Sequence, residues 1–360
     1  MQHLITKIGK GQRGVRDLTW DESKEAIQLM MEGKVTGHQV GAFLMAMRIK
    51  LEGVPELAAF TAATRSYVAP LSIPGDPTVV DVPAYGEKHN TIHICLAAAF
   101  IAAAAGAKIC LHSIGNPTAS SDLTRVLAEL RIPNNLQGEG LTLVLKDFGF
   151  AYLDLSLYHP PLVRFLELRE ELGAQNLFHQ VARLLNPTRA QSQVIGVAHP
   201  PYLEKIPEAV SMLGGDRLVV FQGVEGFPEL SISTPALMRE LRDDRVVPVH
   251  LKPQDVRLPL GSFQNMAIPQ PSSSISLPTQ EALIIAKVLN NEITDSLRDW
   301  TLYNAALLLY AAGQAPSIAA SVPLAQQTLE SGVAAKKLKE LSTVSSSPTT
   351  TIPEKKVVHA

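Results

Sequence analysis

Apolar positions recur at helical spacing through the first 70 or so residues, then give way to short continuous apolar runs separated by helical segments. Thr19 and Glu22 have the T-x-x-E spacing of a capping box, ahead of an apolar-periodic run that ends near Met31, with Gly33 as its stop signal. Thr36 and Gln39 repeat the device before VGAFLMAMRIKL, and Pro55 suits the first turn of a third helix, PELAAFTAATRSYV. Three helices of about a dozen residues bury too little surface to stand as a large domain. The pattern predicts a small helical cap over residues 1–72, joined by helices from about 160–186.

From residue 78 the grammar is strand then helix, repeated. The predicted strands are TVVDV (78–82), KICLHS (108–113), LTLVLK (141–146), QVIGVAH (193–199), RLVVFQG (217–223) and VVPVHLK (246–252). Helical segments fall at 94–106, 122–131, 161–173, 202–214, 234–242 and from about 278 to 342. Near-continuous apolar strands alternating with helices predict a fold of the α/β class: a small helical N-terminal domain plus a larger, mainly parallel sheet domain over 73–342. The last residues, 343–360, are rich in Ser, Thr, Pro and Lys and predict a disordered tail. In such sheets ligands sit outside the carboxyl ends of the strands, here DVPAYGEKHNT, LHSIGNPTASS, GVAHPPY and FQGVEGFPELS.

Composition narrows the function classes. With 46% hydrophobic residues the chain has enough for a full core, which excludes a disordered protein. Lys and Arg total 32 against 34 Asp and Glu, so the net charge of −2 confines any nucleic-acid site to a local patch. Two cysteines, Cys95 and Cys110, exclude a disulfide framework or a Cys-rich zinc module, and both are expected to be buried thiols. The most apolar stretch, Ile94 to Ala107, falls short of the roughly 20 residues of a membrane span. Neither a signal peptide nor a membrane partner is expected, and the expected location is cytoplasmic.

Local charge supplies the candidate chemistry. Lys7, Lys10, Arg13 and Arg16 punctuate the glycine-containing segment KIGKGQRGVRDL, which either follows a phosphate backbone or forms a solvated arm. Lys88 and Asn90 at one strand end either touch phosphate or make an ordinary polar turn. His89 and His93 have i, i+4 spacing, but no third ligand is near in sequence and a metal site is not expected. His112, ahead of Asn116 and the Ser120–Ser121 pair, either marks an anion site at a helix N-terminus or precedes simple capping. Glu225 and Glu229 flank GFP, and a single carboxylate leaves most of a Mg²⁺ shell to water.

The cap stretch LTWDESKEAIQLMMEGKVTGHQVGAFLMAMRIKLEG, with HPPLVRFLELREELG (159–173), LLNPT (184–188), GVEGFPELS (223–231) and HLKPQDVRL (250–258), resembles the anthranilate phosphoribosyltransferase family over about residues 5–330. The resemblance implies a transferase scaffold and a homodimer formed through the helical region. It also locates departures. The family's glycine-rich G-T-G-G-D turn, which surrounds a pyrophosphate with backbone N–H groups, corresponds here to Pro83-Ala84-Tyr85-Gly86-Glu87-Lys88-His89. Its N-x-S-T falls on His93, Cys95 and Leu96, and its K-H-G-N-R on Leu111–Gly115, where only His112 is kept. The arginine facing the aromatic acceptor falls on Gln175, and the acidic Mg²⁺ pair on Pro228 and Glu229. The standard transfer is therefore not expected.

Among members of the family, the chain is most similar to DNA-binding, catalytically degenerate paralogues, through KIGKGQRGVRDL, the turn with Tyr85, Gly86, Lys88 and Asn90, and SSDLTRVLAEL (120–130). That similarity implies single-stranded nucleic acid or another polyanion held in the groove between the domains. The implied contacts are Lys7, Lys10, Arg13, Arg16, Tyr85, Lys88, His89, Asn90, His112, Asn116 and Arg164, with no catalytic residue, no cofactor and no metal beyond Glu229 as a weak candidate. The alternative is an active glycosyl or phosphoribosyl transferase with a remodelled pocket, in which His112, Glu229, His89 and Lys88 share phosphate and Mg²⁺ duties. A third reading is a protein-interaction module whose tail docks a partner.

Overall fold

The computed structural model describes residues 1–11, 14–68, 71, 73, 76–85, 88, 90–115, 121–269 and 275–344. The chain opens with helices α1 (Gln2–Ile8), α2 (Trp20–Met31), α3 (Gly37–Lys50) and α4 (Val54–Arg65). Both capping boxes form: Thr19 with Glu22 begins α2, and Thr36 with Gln39 begins α3. Strand β1 (Val79–Pro83), α5 (Ile94–Ala104), β2 (Lys108–Ser113), α6 (Leu123–Glu129), α7 (Gly138–Phe148) and β3 (Phe150–Asp154) follow. A short α8 (Leu155–Tyr158) leads to α9 (Pro160–Leu172) and α10 (Leu177–Arg183); α10 packs back on the helical part against α3 and α4, and α9 packs on α10. Then come β4 (Ser192–Val197), α11 (Pro201–Met212), β5 (Arg217–Gln222), β6 (Ala236–Arg242) and β7 (Arg245–Leu251). Helices α12 (Leu277–Leu289), α13 (Ser296–Ala311), α14 (Ile318–Glu330) and α15 (Val333–Leu341) complete the fold.

The seven strands run in the order β3-β2-β1-β4-β5-β6-β7, with the first five parallel and β6 and β7 antiparallel. The pleat sends alternate residues to opposite faces. On β5, Val219 and Phe221 enter the core that contains α5 and α13, whereas Leu218 and Val220 enter the core shared with the helical part. Every residue of α5 from Ile94 to Ala103 is buried, and its alanines allow close approach to the sheet.

Two expected elements change type. LTLVLK lies inside α7, because Leu141, Val144 and Leu145 share one buried face at i, i+3 and i+4, and Gly149 closes the helix in the left-handed region. The predicted helix over 234–242 is instead strand β6. Its residues are good helix formers, but Asp243 and Asp244, at φ 52° and 57°, form a tight turn that pairs the segment with β7. The expected disordered tail lies, from residue 345 onward, outside the described residues.

No helix is long and apolar enough to cross a membrane among the described residues.

Candidate functional site

At the carboxyl ends of the central strands, register sets Pro83 of β1 beside His112 of β2. This brings the Tyr85 hydroxyl to 2.6 Å from His112 Nδ1, with the two rings 5.1 Å apart. His112 Nε2 lies 3.1 Å from Asp81 Oδ1, an ion-pair distance, but off the hydrogen-bond direction, so both atoms lack a hydrogen-bond partner. Asp81 Oδ2 accepts from Gln193 Nε2 at 3.2 Å. All four residues are buried. Burial, with Tyr152 and Asp81 nearby, pushes the Tyr85 phenol well above its ordinary value and keeps it protonated. His112 and Tyr85 thus face each other across the strand ends, without an outlet to a solvent anion.

Lys88 is also turned inward. Its ammonium is ion-paired with Glu229 and lies 5.1 Å from the Phe227 ring centre and 5.7 Å from that of Trp300. The other Glu229 oxygen, Oε1, accepts the Cys95 backbone N–H at 2.9 Å. The expectation that Lys88 reaches a phosphate does not fit this geometry, because its charge is neutralised inside the protein. The same contacts occupy both oxygens of Glu229, the weak metal candidate, and residue 228 is proline. No cluster of three or more potential metal-ligating His, Cys, Asp or Glu exists among the described residues. Paired with each other and with the Cys95 N–H, Lys88 and Glu229 do not fit the Mg²⁺–diphosphate group that the family resemblance implies.

Next to this pair, His93 Nδ1 is 2.7 Å from Glu281 Oε1, and the Ser121 hydroxyl donates to Glu281 Oε2 at 2.6 Å. Burial pushes the Glu281 carboxyl up, but His93 and Ser121 outweigh it and hold it below the usual carboxylate value. His93 is therefore committed to a structural carboxylate.

Glu225 anchors the strand-end loop. It accepts from the Asn90 backbone N–H at 3.2 Å, from Asn90 Nδ2 at 3.1 Å and from the Thr91 hydroxyl at 2.6 Å. It holds φ 51°, a conformation costly for a residue with a Cβ and stabilised here by those three bonds. The loop is pressed onto the sheet at two glycines: a Cβ on Gly196 or Gly223 would lie 1.9 Å from the Phe227 carbonyl oxygen.

Beside Glu225, α10, α11 and the end of β4 enclose a cavity of about 190 Å³. Gln175, Gln180, Arg183, His199 and Tyr202 line it. Arg183 is buried, donates Nη1 to His179 O at 3.2 Å and Nη2 to Tyr85 O at 2.5 Å, and burial lowers its pKa to about 10. Arg183 Nε and Gln180 Oε1 are buried without a hydrogen-bond partner. Leaving a donor and an acceptor unpaired is costly, and both residues line the same cavity.

Of the other expected contacts, Lys7 is paired with Glu22 at 2.6 Å, whereas Lys10, Arg16 and Arg164 are exposed with no ion pair among the described residues. Asn90 is exposed but tied to Glu225. Arg13, His89 and Asn116 lie outside the described residues. Asp81, Gln180, Arg183, Gln193 and Glu281 escaped the sequence reading. The overlooked signal for Arg183 and Gln180 is that they stand, with His179, among the apolar residues of the helix LFHQVAR.

A parallel sheet with an antiparallel edge, a helical cap and a cavity between them defines a two-part transferase scaffold. Residues 76–335 match the α/β domain of the glycosyl transferase family and residues 2–68 its helical bundle domain, so the chain belongs to that family. It is 31% identical to the anthranilate phosphoribosyltransferase of Methanococcoides burtonii, over 95% of this chain and 93% of the relative. It is 29% identical to that of Chromobacterium violaceum, over 91% and 94%. The crystal structure of the Thermus thermophilus anthranilate phosphoribosyltransferase superposes with a TM-score of 0.82 at 25% identity, covering 94% of this chain and 98% of that one.

Proposed function

We propose that this chain uses the phosphoribosyltransferase scaffold to bind single-stranded nucleic acid in the groove between its helical and α/β parts, and does not perform the family's standard transfer. The observation that carries the reading is the cavity with the unpartnered Arg183 Nε and Gln180 Oε1. The edge of an unstacked base offers an acceptor and a donor together, and only single strands present such edges freely. Exposed, unpaired Lys10, Arg16 and Arg164 supply the phosphate contacts. The inward pairing of Lys88 with Glu229 argues against a diphosphate at the strand ends. Exposed Ile49 (80%) and Leu51 (57%) at the end of α3 support a homodimer through the helical region, and the two buried free thiols suit a reducing, cytoplasmic setting.

Titration of labelled single-stranded DNA at low and moderate salt tests this. Micromolar binding is expected, and with three contacts log K falls against log salt with a slope of about −2. Gln180→Leu is expected to weaken binding without changing that slope, whereas replacing Lys10, Arg16 and Arg164 together flattens it. No binding at micromolar protein in low salt rejects the reading.

One observation favours a second reading, an active transferase with a remodelled acceptor pocket: the same cavity sits beside Glu225 at the strand ends, in a chain whose relatives are named as anthranilate phosphoribosyltransferases. Calorimetry with phosphoribosyl pyrophosphate and Mg²⁺ separates the two. No Mg²⁺-dependent heat is expected; tight Mg²⁺-dependent binding establishes the second reading and removes the first.

A further inference from the structure

A second cleft, of about 120 Å³, opens at the amino ends of β4 and β5, the end of the strands opposite the candidate site. At about 3.3 Å per residue, β4 separates the two by roughly 20 Å. Arg65, from the last turn of α4 in the helical part, and Arg189, from the turn that leads into β4, both line it. Arg65 spends Nε on Leu185 O at 2.9 Å and Nη2 on Leu184 O at 2.6 Å, which leaves Nη1 uncommitted. Neither arginine has a carboxylate partner among the described residues. The charges repel: burial and then Arg189 lower the pKa of Arg65 to about 10, with only Asp81 and Tyr158 acting against them.

The turn is built to hold Arg189 there. Asn186 and Arg189 take φ 43° and 53°, left-handed values that cost free energy in residues with a Cβ. The Asn186 side chain fixes them by donating to Ala190 O and accepting from Ala190 N, both at 2.9 Å. The Leu71 N–H donates to Pro187 O at 2.9 Å, so this turn is also where the chain leaving α4 meets the α/β part. Gln193 joins the lining, and Asp216 stands exposed at the rim, paired with neither arginine.

We propose that this cleft is a second binding site that takes one phosphoryl group, gripped between Arg65 of the helical part and Arg189 of the α/β part. Two guanidinium groups with free donors and no counter-ion match a tetrahedral dianion, which neutralises both; a monocarboxylate leaves one of the two charges unpaired. The volume admits a phosphate. Either inorganic phosphate or a phosphate of a nucleic-acid strand has this chemistry.

Titration calorimetry of the full chain with inorganic phosphate, against chloride at matched ionic strength, is the first arm. The second is single-stranded DNA binding by Arg189→Asn, chosen because asparagine tolerates the left-handed conformation of that turn. If free phosphate is the ligand, phosphate heat is seen, Arg189→Asn weakens it at least tenfold, and DNA affinity is unchanged. If the strand is the ligand, Arg189→Asn lowers DNA affinity and reduces the salt slope, while Gln180→Leu does not reduce the slope. Asp216→Asn, which removes the rim's negative charge, is expected to tighten whichever ligand binds. The absence of phosphate-specific heat together with unchanged DNA binding in Arg189→Asn overturns the proposal. The phosphate arm does not depend on nucleic-acid binding, so its outcome is separable from that reading.

Discussion

Lys88→Met is expected to cost about 3–5 kcal/mol of folding free energy, because it leaves the Glu229 carboxylate fully buried with no counter-ion. The two partners are not equivalent. When Lys88 is removed, Glu229 retains only neutral contacts, those to the Cys95 N–H and thiol. When Glu229 becomes Gln, Lys88 still faces the Phe227 and Trp300 rings, which offset about 0.5–2 kcal/mol of its desolvation. Glu229→Gln is therefore expected to cost less than Lys88→Met. The double variant Lys88→Met with Glu229→Gln removes both charges and keeps an acceptor for the Cys95 N–H. It is expected to recover most of the loss, since a buried pair contributes little net stability over neutral groups of similar volume. Urea unfolding of the three variants checks the order. Equal losses in the single and double variants would show that packing of the Lys88 stem, rather than charge, holds this end of the sheet.

The same pair shows where a sequence reading stops. The alternation of strands and helices, both capping boxes and the strand-end segments were legible because each depends on spacing within one element or one turn. LTLVLK was misread because a short apolar run fits either a strand or one helix face, and only the Gly149 stop and the shared burial of Leu141, Val144 and Leu145 decide it. ALMRELR was misread because hairpin pairing overrode helix propensity, and the Asp243–Asp244 turn was its only local sign. In the site, Lys88 looked like a phosphate contact because its partner stands 141 residues away in the chain. Glu281 lies 188 residues from His93. Pairings of that reach leave no periodic trace in a single sequence. They decide the electrostatics of the strand ends nonetheless, by turning exposed-looking charges into buried, neutralised ones.

The second large effect is an acid transition centred on His179. This ring is buried in α10, and burial first, then Arg183, Arg169 and Arg48, lowers its pKa from 6.5 to about 4. Its Nδ1 lies 3.2 Å from the Asn176 backbone N–H, completing the reciprocal cap of α10, a role that needs the unprotonated nitrogen. Between pH 6.5 and about 4 the unfolded chain takes up a proton that the folded chain refuses. Stability from this residue is thus complete above pH 6.5, falls as pH drops through that window and levels off below about 4. A shift of this size corresponds to about 3 kcal/mol. His159, whose pKa is lowered in the same direction by burial, adds to the slope. Glutamine at position 179 also serves a capping box but takes no proton, so His179→Gln is expected to retain the folded state at neutral pH and remove most of the decline. Urea midpoints measured from pH 7 to pH 4 decide it: parallel declines in the parent and the variant would transfer the acid sensitivity to other groups and leave His179 a purely structural cap.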